Sequence, residues 1–594
     1  MRNGRLYNHL TEGLEKMKKF SVILPTYNRA FCICKAVDSL LAQTFRDWEL
    51  VIVDDGSTDG TEALLREKYA EWFASGAFKY LRQSNSGVCR ARNRGLAESR
   101  GDWIAYLDSD NLVRSDWLQS FADEIRRNPG IRTLYSKFMT IEGREEKGQA
   151  FDWDQLLVRN TIDLGVFVHD RRLYEELGGF DESFRRLVDW ELILRYTRHH
   201  APAFVDRVLM DYNNSRSYGR ITGDWNGNQD WKAAVIAKHG AHLPLVTTAI
   251  ITFNHKPYIA AALESAIRQN GAFRREIIVS DDGSTDGTAE IVADYARRYP
   301  HLIRDISAKA NGGVSANIQK CLAAAKGDYI ASLEGDDYWM TDDKLARQLK
   351  FLIEHPACPM VFSRTAVQSD ANPALRRLKS QEGLPELMTG RDFFNTGSSS
   401  VIVNFSCCLF RRESLQDLPE ELWVPRLSEI ALSFHLERRG PIGFIPNVLS
   451  VYRIHEGSVW QGADFSARKR QQIDCRKAAL KVCAPEYVAD FTQEIERIEA
   501  TCKRTKDPCK MMRAHLRLGK GGCGKSWAMG VFRAFMPYGL VVWWRRYYFG
   551  IEMDWPLFYF PGWGKRLRRI VKFALPYGLS KMFQRRSPGC LKSF

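Results

Sequence analysis

VDDGSTDGT spans Val53–Thr61, and SDDGSTDGT spans Ser280–Thr288. The same cassette surrounds both strings. PTYN (Pro25–Asn28) and ITFN (Ile251–Asn254) precede them, and GDWIAYLDSD (Gly101–Asp110) and GDYIASLEGD (Gly327–Asp336) follow. Thr26 to Thr252 is a step of 226, Asp55 to Asp282 is 227, and Asp110 to Asp336 is 226 again. One residue is inserted and then lost. A period this long exceeds the 20–50 residues of solenoid repeats, so it marks a duplicated domain.

Around each string, short apolar runs alternate with segments of helical spacing. In the first half, Phe20–Leu24, Trp48–Val53, Phe78–Arg82 and Trp103–Leu107 read as strands. Ala30–Thr44, Gly60–Phe73 and Val88–Ser99 read as helices between them. The second half repeats this with strands Leu245–Ile251, Glu276–Ser280 and Tyr329–Leu333. Such alternation predicts an α/β fold with a mostly parallel sheet and helices on both faces.

In open parallel sheets, ligands bind beyond the carboxyl ends of the strands. Three strand ends in each half carry polar or acidic residues. They are Thr26-Tyr27-Asn28, Asp54-Asp55-Gly56-Ser57 and Asp108-Ser109-Asp110 in the first half. The second half has Thr252-Phe253-Asn254, Asp281-Asp282-Gly283-Ser284 and Glu334-Gly335-Asp336-Asp337. Carboxylates one residue apart suit a hard divalent cation, which prefers oxygen ligands and shares them with a diphosphate. The DDGS loop suits a nucleotide, since a carboxylate accepts hydrogen bonds from base or ribose and Gly allows close approach. The plainer reading is a strand-to-helix turn in which Asp59 or Asp286 is a helix N-cap.

PTYN, VDDGSTDGT, NSGVCRARNRGL (Asn85–Leu96) and YLDSD (Tyr106–Asp110) resemble, in order and spacing, family 2 glycosyltransferases of the GT-A fold. The second half, with LEGDDYW (Leu333–Trp339) and VYRIHEGSVW (Val451–Trp460), resembles another branch of that family. The resemblance covers roughly Phe20–Trp460 and points to a bacterial surface-polysaccharide type. It implies two Rossmann-like GT-A domains in tandem, a nucleotide-sugar donor, a Mn²⁺ or Mg²⁺ ion and inversion at the anomeric carbon. By position, Thr26, Asn28, Asp54 and Asp55, with Thr252, Asn254, Asp281 and Asp282, would line the nucleotide-sugar sites. Asp110 and Asp336 would ligate the metal, assisted by Asp108 and Glu334. The ion would neutralise the diphosphate leaving group.

An acceptor hydroxyl also needs a base. In GGFDESFRRLVDWELILRY (Gly178–Tyr196) the resemblance gives this role to Asp189. The family often has Glu-Asp there, and this chain has Val188-Asp189. The plainer reading of Asp189 is a cap for a helix starting at Trp190. Counting back from Gly440, the matching position in the second half is Glu429, one methylene longer. His455 matches a position that serves as a third metal ligand or phosphate contact, where the first half has Asn213 or Asn214. The second half is therefore either a second transferase or a non-catalytic glycan- or nucleotide-binding module beside an active first half.

The implied organisation is an N-terminal extension (1–19), GT-A domains at 20–240 and 241–466, a helical region (467–530) and a basic aromatic tail (531–594). The net charge of +15 collects in that tail, where twelve Lys or Arg face two acids. WWRRYYF (Trp543–Phe549) and GKRLRRIVKF (Gly564–Phe573) mix aromatics with cations. That mixture suits an anionic membrane surface, with no fold that would read nucleic acid. GKGGCGKS (Gly519–Ser526) fits the phosphate-loop pattern but follows an amphipathic helical stretch where a buried strand is required, so it reads as a glycine-rich hinge. The polar N-terminal stretch, the scattered thirteen cysteines and the lack of an 18-residue apolar run indicate a cytoplasmic protein. It would act peripherally at the inner face of the plasma membrane, on a glycan or lipid-linked saccharide acceptor.

Overall fold

The computed structural model describes residues 20–215, 225–370, 372–377, 381–397, 399–423, 426–455 and 465–505. Within these, residues up to 369, 374–454 and 474–492 form one compact unit that holds both sheets. Residues 370–373, 455–473 and 493–505 fall in a second unit. The extension, the tail, the Gly519–Ser526 string and the HEGSVW segment after His455 lie outside the described residues.

The first sheet has β1 (Phe20–Thr26), β2 (Trp48–Asp54), β3 (Phe78–Arg82), β4 (Trp103–Tyr106), β5 (Leu112–Val113), β6 (Thr133–Thr140), β7 (Glu146–Lys147), β8 (Phe167–Asp170) and β9 (Ala203–Tyr212). The second has β10 (Leu245–Thr252), β11 (Arg274–Asp281), β12 (Ile303–Asp305), β13 (Tyr329–Glu334), β14 (Tyr338–Trp339), β15 (Met360–Ser369), β16 (Asn372–Arg377), β17 (Leu387–Met388), β18 (Cys408–Arg411) and β19 (Ile442–Ile454). Strand order is β3-β2-β1-β4-β8-β6-β9-β5 in one and β12-β11-β10-β13-β18-β15-β19-β14 in the other. Position for position these are the same path, so the duplication extends well past the motifs. The first four strands of each path are parallel, as expected. Beyond β4 and β13 the sheets turn mixed, because β8 and β18 run antiparallel to both neighbours.

β1 is buried along its whole length. Phe20, Val22 and Leu24 join one core cluster with Leu50 and Ile52, while Ile23 faces the other side. Helices cover both faces, which is why Val22–Pro25 is apolar throughout and does not alternate with polar residues. Helix Val88–Glu98 lies so close to β1 that a Cβ on Gly95 would sit 2.5 Å from Ile23 Cγ2. The expected helix Gly60–Phe73 is instead two, Thr61–Lys68 and Ala70–Ala74. Tyr69 breaks it, at φ −118° and ψ 30°, and its hydroxyl donates to Asp38 at 2.7 Å.

Helix Trp225–His239 follows the first sheet. Its Val235 and Ile236 pack into one core cluster of the first half, and its Ala233 packs into a core cluster of the second. Further on, Cys475, Ala478, Ala479, Tyr487 and Phe491 bury against Met360, Phe362 and Phe434. Helical chain beyond the second sheet thus completes that sheet's core. Among the described residues, no helix is long and apolar enough to cross a membrane.

Candidate active sites at the strand ends

Parallel register brings the predicted loops together. Thr26 pairs with Asp54 across β1 and β2, and Thr252 pairs with Asp281 across β10 and β11. Ile251, one residue earlier, pairs with Glu334. The loops after three adjacent strands therefore share one edge in each half.

The first two loops are tied to each other by the same bonds in both halves. Asn28 and Asn254 take left-handed backbone, at φ 52° and 53°. Asn28 N–H donates to Ser57 Oγ at 2.8 Å, and Asn28 Oδ1 accepts from Thr58 N–H at 2.8 Å. Asn254 repeats both bonds with Ser284 (2.7 Å) and Thr285 (2.9 Å). Asp54 Oδ1 accepts from Ser57 N–H at 2.8 Å, and Asp281 Oδ2 from Ser284 N–H at 2.9 Å. Both aspartates are buried. Asp59 and Asp286 stand one residue before the cap positions, yet each accepts from the first helical N–H, that of Thr61 at 3.1 Å and that of Thr288 at 3.0 Å. Gly60 and Gly287 hold the cap positions, while the two acids accept from Ala30 and Lys256 N–H and so bind the first loop. Much of the DDGSTD signature therefore builds the loops. Among the described residues, the hydroxyls of Thr26 and Thr252, buried at both strand ends, have no hydrogen-bond partner.

Asp55 and Asp282 are also buried and anchor the next loop. Asp55 accepts from Gln83 Nε2 and from Ser86 and Gly87 N–H, each at 2.8 Å. Asp282 accepts from Gly312 and Gly313 N–H, both at 2.9 Å. Gly87 and Gly313 carry φ of 92° and 88°, a conformation other residues rarely adopt, and each precedes a helix. These carboxylates hold the loop that follows the third strand of each half.

The third loop differs between the halves. In the first, Asp108 Oδ1 accepts from Arg92 Nη2 at 2.8 Å, and Arg92 is buried under the Phe180 ring. Asp110 is half-buried, and Asn111 fixes the loop by accepting from Asn213 N–H at 2.9 Å. In the second half the position of Arg92 holds Ile318. Glu334, Asp336 and Asp337 there each bring a carboxylate oxygen within 4.8 Å of the others. Burial and the charges of Asp337, Asp336 and Glu429 push Glu334 well above the usual carboxylate range. Burial and Asp336 push Asp337 up as well, against bonds from Arg453 N–H (2.9 Å) and Ser406 Oγ (2.7 Å). Hard oxygen donors at this spacing fit Mg²⁺ or Mn²⁺. His255 Nε2 lies 3.8 Å from Asp336 Oδ2. His455 is buried immediately after β19.

The two expected bases sit at helix starts. Asp189 lies in the first turn of helix Val188–Thr197, so it is inside the helix and does not cap it. The residue before the helix, Leu187, has φ 55°, a costly conformation for a branched side chain. Asp189 Oδ2 accepts from Asn160 Nδ2 at 3.1 Å. Burial raises its pKa, Arg92 opposes the rise, and Asp108 adds to it. The next residue but one, Glu191, is fully buried among Arg195 (2.8 Å), Lys238 (2.7 Å) and His239 (3.2 Å). Against its burial, hydrogen bonds from His239, Arg195 and Lys238 hold it far below the usual range. This network pins the Asp189 helix to helix Trp225–His239. Glu429 opens helix Glu429–Glu437, after Ser428, whose hydroxyl accepts from Ala431 N–H at 3.2 Å. Burial raises the pKa of Glu429, with Arg426 opposing.

Sequence reasoning missed Arg92, although it lies inside the quoted NSGVCRARNRGL string. It also missed Asp163, which no motif marks. Asp163 accepts from Gly165 N–H at 2.8 Å, and burial together with Asp108 pushes it up to about 7.

The model of the family described as glycosyl transferase family 2 matches residues 21–160 and 247–419, one stretch in each half. The chain belongs to glycosyl transferase family 2. An uncharacterized protein of Mycobacterium tuberculosis is 34% identical over 232 residues, covering 37% of this chain and 61% of that protein. The chondroitin synthase of Escherichia coli is 24% identical over 387 residues, covering 54% of this chain and 55% of the synthase. The chain thus spans little more than half the length of these curated relatives. Among solved structures, S. aureus TarS 1–349 with UDP-GlcNAc is 22% identical, with a TM-score of 0.32, over 38% of this chain and 69% of that one. The mannosyltransferase PcManGT from Pyrobaculum calidifontis, in complex with GDP-Man and Mn²⁺, is 20% identical, with a TM-score of 0.30, over 38% and 64%.

Proposed function

We propose that this chain is a bifunctional, metal-dependent, inverting glycosyltransferase with one active site in each half. Each site would take a nucleotide-sugar donor and extend a glycan or lipid-linked saccharide at the inner face of the plasma membrane. One observation carries the reading. In both halves a carboxylate in the first turn of a helix (Asp189, Glu429) lies close enough to the strand-end acids (Asp108, Glu334) for the charges to be felt.

In the family reaction the acceptor hydroxyl approaches the sugar opposite its diphosphate. Asp189 and Glu429 would take the proton from that hydroxyl. Asp110 and Asp336, assisted by Asp108 and Glu334, would hold a Mn²⁺ or Mg²⁺ ion, which supplies charge neutralisation to the diphosphate. His455 keeps its proposed place as a further ligand or phosphate contact. Thr26, Asn28, Asp54 and Asp55, with Thr252, Asn254, Asp281 and Asp282, would shape the nucleotide side. For most of them the hydrogen bonds above favour holding the loops over touching the ligand. The names of the chondroitin synthase and of the UDP-GlcNAc and GDP-Man complexes are in keeping with this donor class.

A second reading rests on the extra methylene of Glu429. Displacement of a base by about 1 Å costs on the order of a hundredfold in rate, so the second half could bind without turning over. A donor panel with Mn²⁺, read as sugar-nucleotide hydrolysis, separates the readings. Asp189→Asn and Glu429→Gln should each abolish turnover of a different donor. Full activity of Glu429→Gln on every donor would leave only the first half catalytic. Full activity of both variants would end the proposal.

A further inference from the structure

Arg453 sits beside the acid cluster of the second half with its guanidinium between two tyrosine rings. Its carbon lies 4.6 Å from the Tyr338 ring centroid and 5.3 Å from that of Tyr258. Its own N–H donates to Asp337 Oδ1 at 2.9 Å, which fixes the residue to the loop carrying Asp336. All three side chains are half-buried. Among the described residues, nothing accepts a hydrogen bond from the guanidinium.

The first half has nothing of the kind. Its matching positions are Cys32, Leu112 and Asn213. The last match is fixed by the bond from Asn213 N–H to Asn111 Oδ1, the counterpart of that from Arg453 to Asp337, so the counterpart of His455 is Ser215 and not the Asn213 or Asn214 expected from the sequence. The Arg453 arrangement is therefore a device of one site and no part of the shared scaffold.

A guanidinium carries five N–H donors in a planar fork. Two aromatic rings near its carbon hold it by cation–π attraction and take up none of these donors. Such a fork matches two oxygens of a phosphate or carboxylate. We propose that Arg453 is an oxyanion-binding residue of the second site, positioned by Tyr258 and Tyr338, with no counterpart in the first. This rests on the glycosyl-transfer reading. The oxyanion is either the diphosphate of the donor or the carboxylate of an acidic sugar on it.

The test uses full-length protein carrying Asp108→Ala and Asp110→Ala, so that the second site dominates. Calorimetric titration with Mn²⁺ and UDP, UDP-glucose, GDP-mannose and UDP-glucuronate compares this background with added Arg453→Gln and Arg453→Lys. Arg453→Gln should weaken binding roughly tenfold to a hundredfold, and Arg453→Lys by less, since a point charge lacks the fork. Equal losses for UDP, UDP-glucose and UDP-glucuronate assign the diphosphate. A loss confined to UDP-glucuronate assigns the carboxylate. Unchanged affinity for every probe that binds, in variants whose thermal unfolding matches the background, overturns the inference. Failure of the background protein to bind any probe while Arg453 is intact overturns the underlying reading itself. Tyr258→Leu should reproduce part of the Arg453→Gln loss, whereas Tyr258→Phe should not.

Discussion

Arg92 Nη2 donates to Asp108 Oδ1 at 2.8 Å, so the first half supplies a fixed cation to its strand-end acid. The second half places Ile318 and Glu334 at these positions, and its acids repel one another instead. The two sites share a scaffold and differ in how they neutralise it.

Arg92→Met should therefore alter the first site alone. Leaving Asp108 without its partner costs roughly 1–3 kcal/mol, less than in a fully buried pair because solvent reaches Asp108. Denaturant unfolding measures that loss. Arg92 also holds the pKa of Asp189 down against burial. Its removal should shift the acid limb of the first site's pH–rate profile to higher pH, while turnover of the second donor keeps its profile.

Asp163 offers a pH test of stability. Its folded pKa, about 7, lies above the ordinary value of 3.8, so the folded state binds the proton more tightly. Stability should thus fall as pH rises between these values, by ~1.4 kcal/mol for each unit of separation. The matching residue of the second half is Asn404. Asp163→Asn keeps an oxygen for Gly165 N–H, so it should flatten this pH dependence and stabilise the protein above pH 7. Thermal melts across that window decide it.

Asn28 and Asn254 each combine left-handed backbone with two cross-loop bonds. Asn28→Ala should cost about 1–3 kcal/mol, from strain and from the lost bond to Thr58. Asn28→Gly should cost less, since glycine accepts the backbone at no steric cost. Equal losses in chemical unfolding for Ala and Gly would show that backbone strain contributes nothing.

Gly95 is required by close packing. A Cβ there would meet Ile23 Cγ2 at 2.5 Å. Gly95→Ala should destabilise by about 1–3 kcal/mol. Ile23→Ala removes Cγ2 itself, so in a double-mutant cycle it should cost less in the Gly95→Ala background than in the parent chain.

The sequence alone showed the duplication, the parallel strands at the start of each half and the loops at their ends. Those features are local, because apolar runs, turn residues and acids occur at fixed spacing along the chain. The later part of each sheet left no such trace. Short β5, β8, β14 and β18 are held by antiparallel partners distant in the chain, and no periodicity marks a strand of two to four residues. The roles within the motifs were also invisible. Asp54, Asp55 and Asp59 read as ligand contacts or a cap, but folding commits Asp54 to a backbone N–H of its own loop and Asp55 and Asp59 to those of neighbouring loops. Only the tertiary structure set Arg92 against Asp108, Asp163 near both, and Arg453 between Tyr258 and Tyr338. A charge acts through space, and the chain order of these residues carries no sign of which charges will meet.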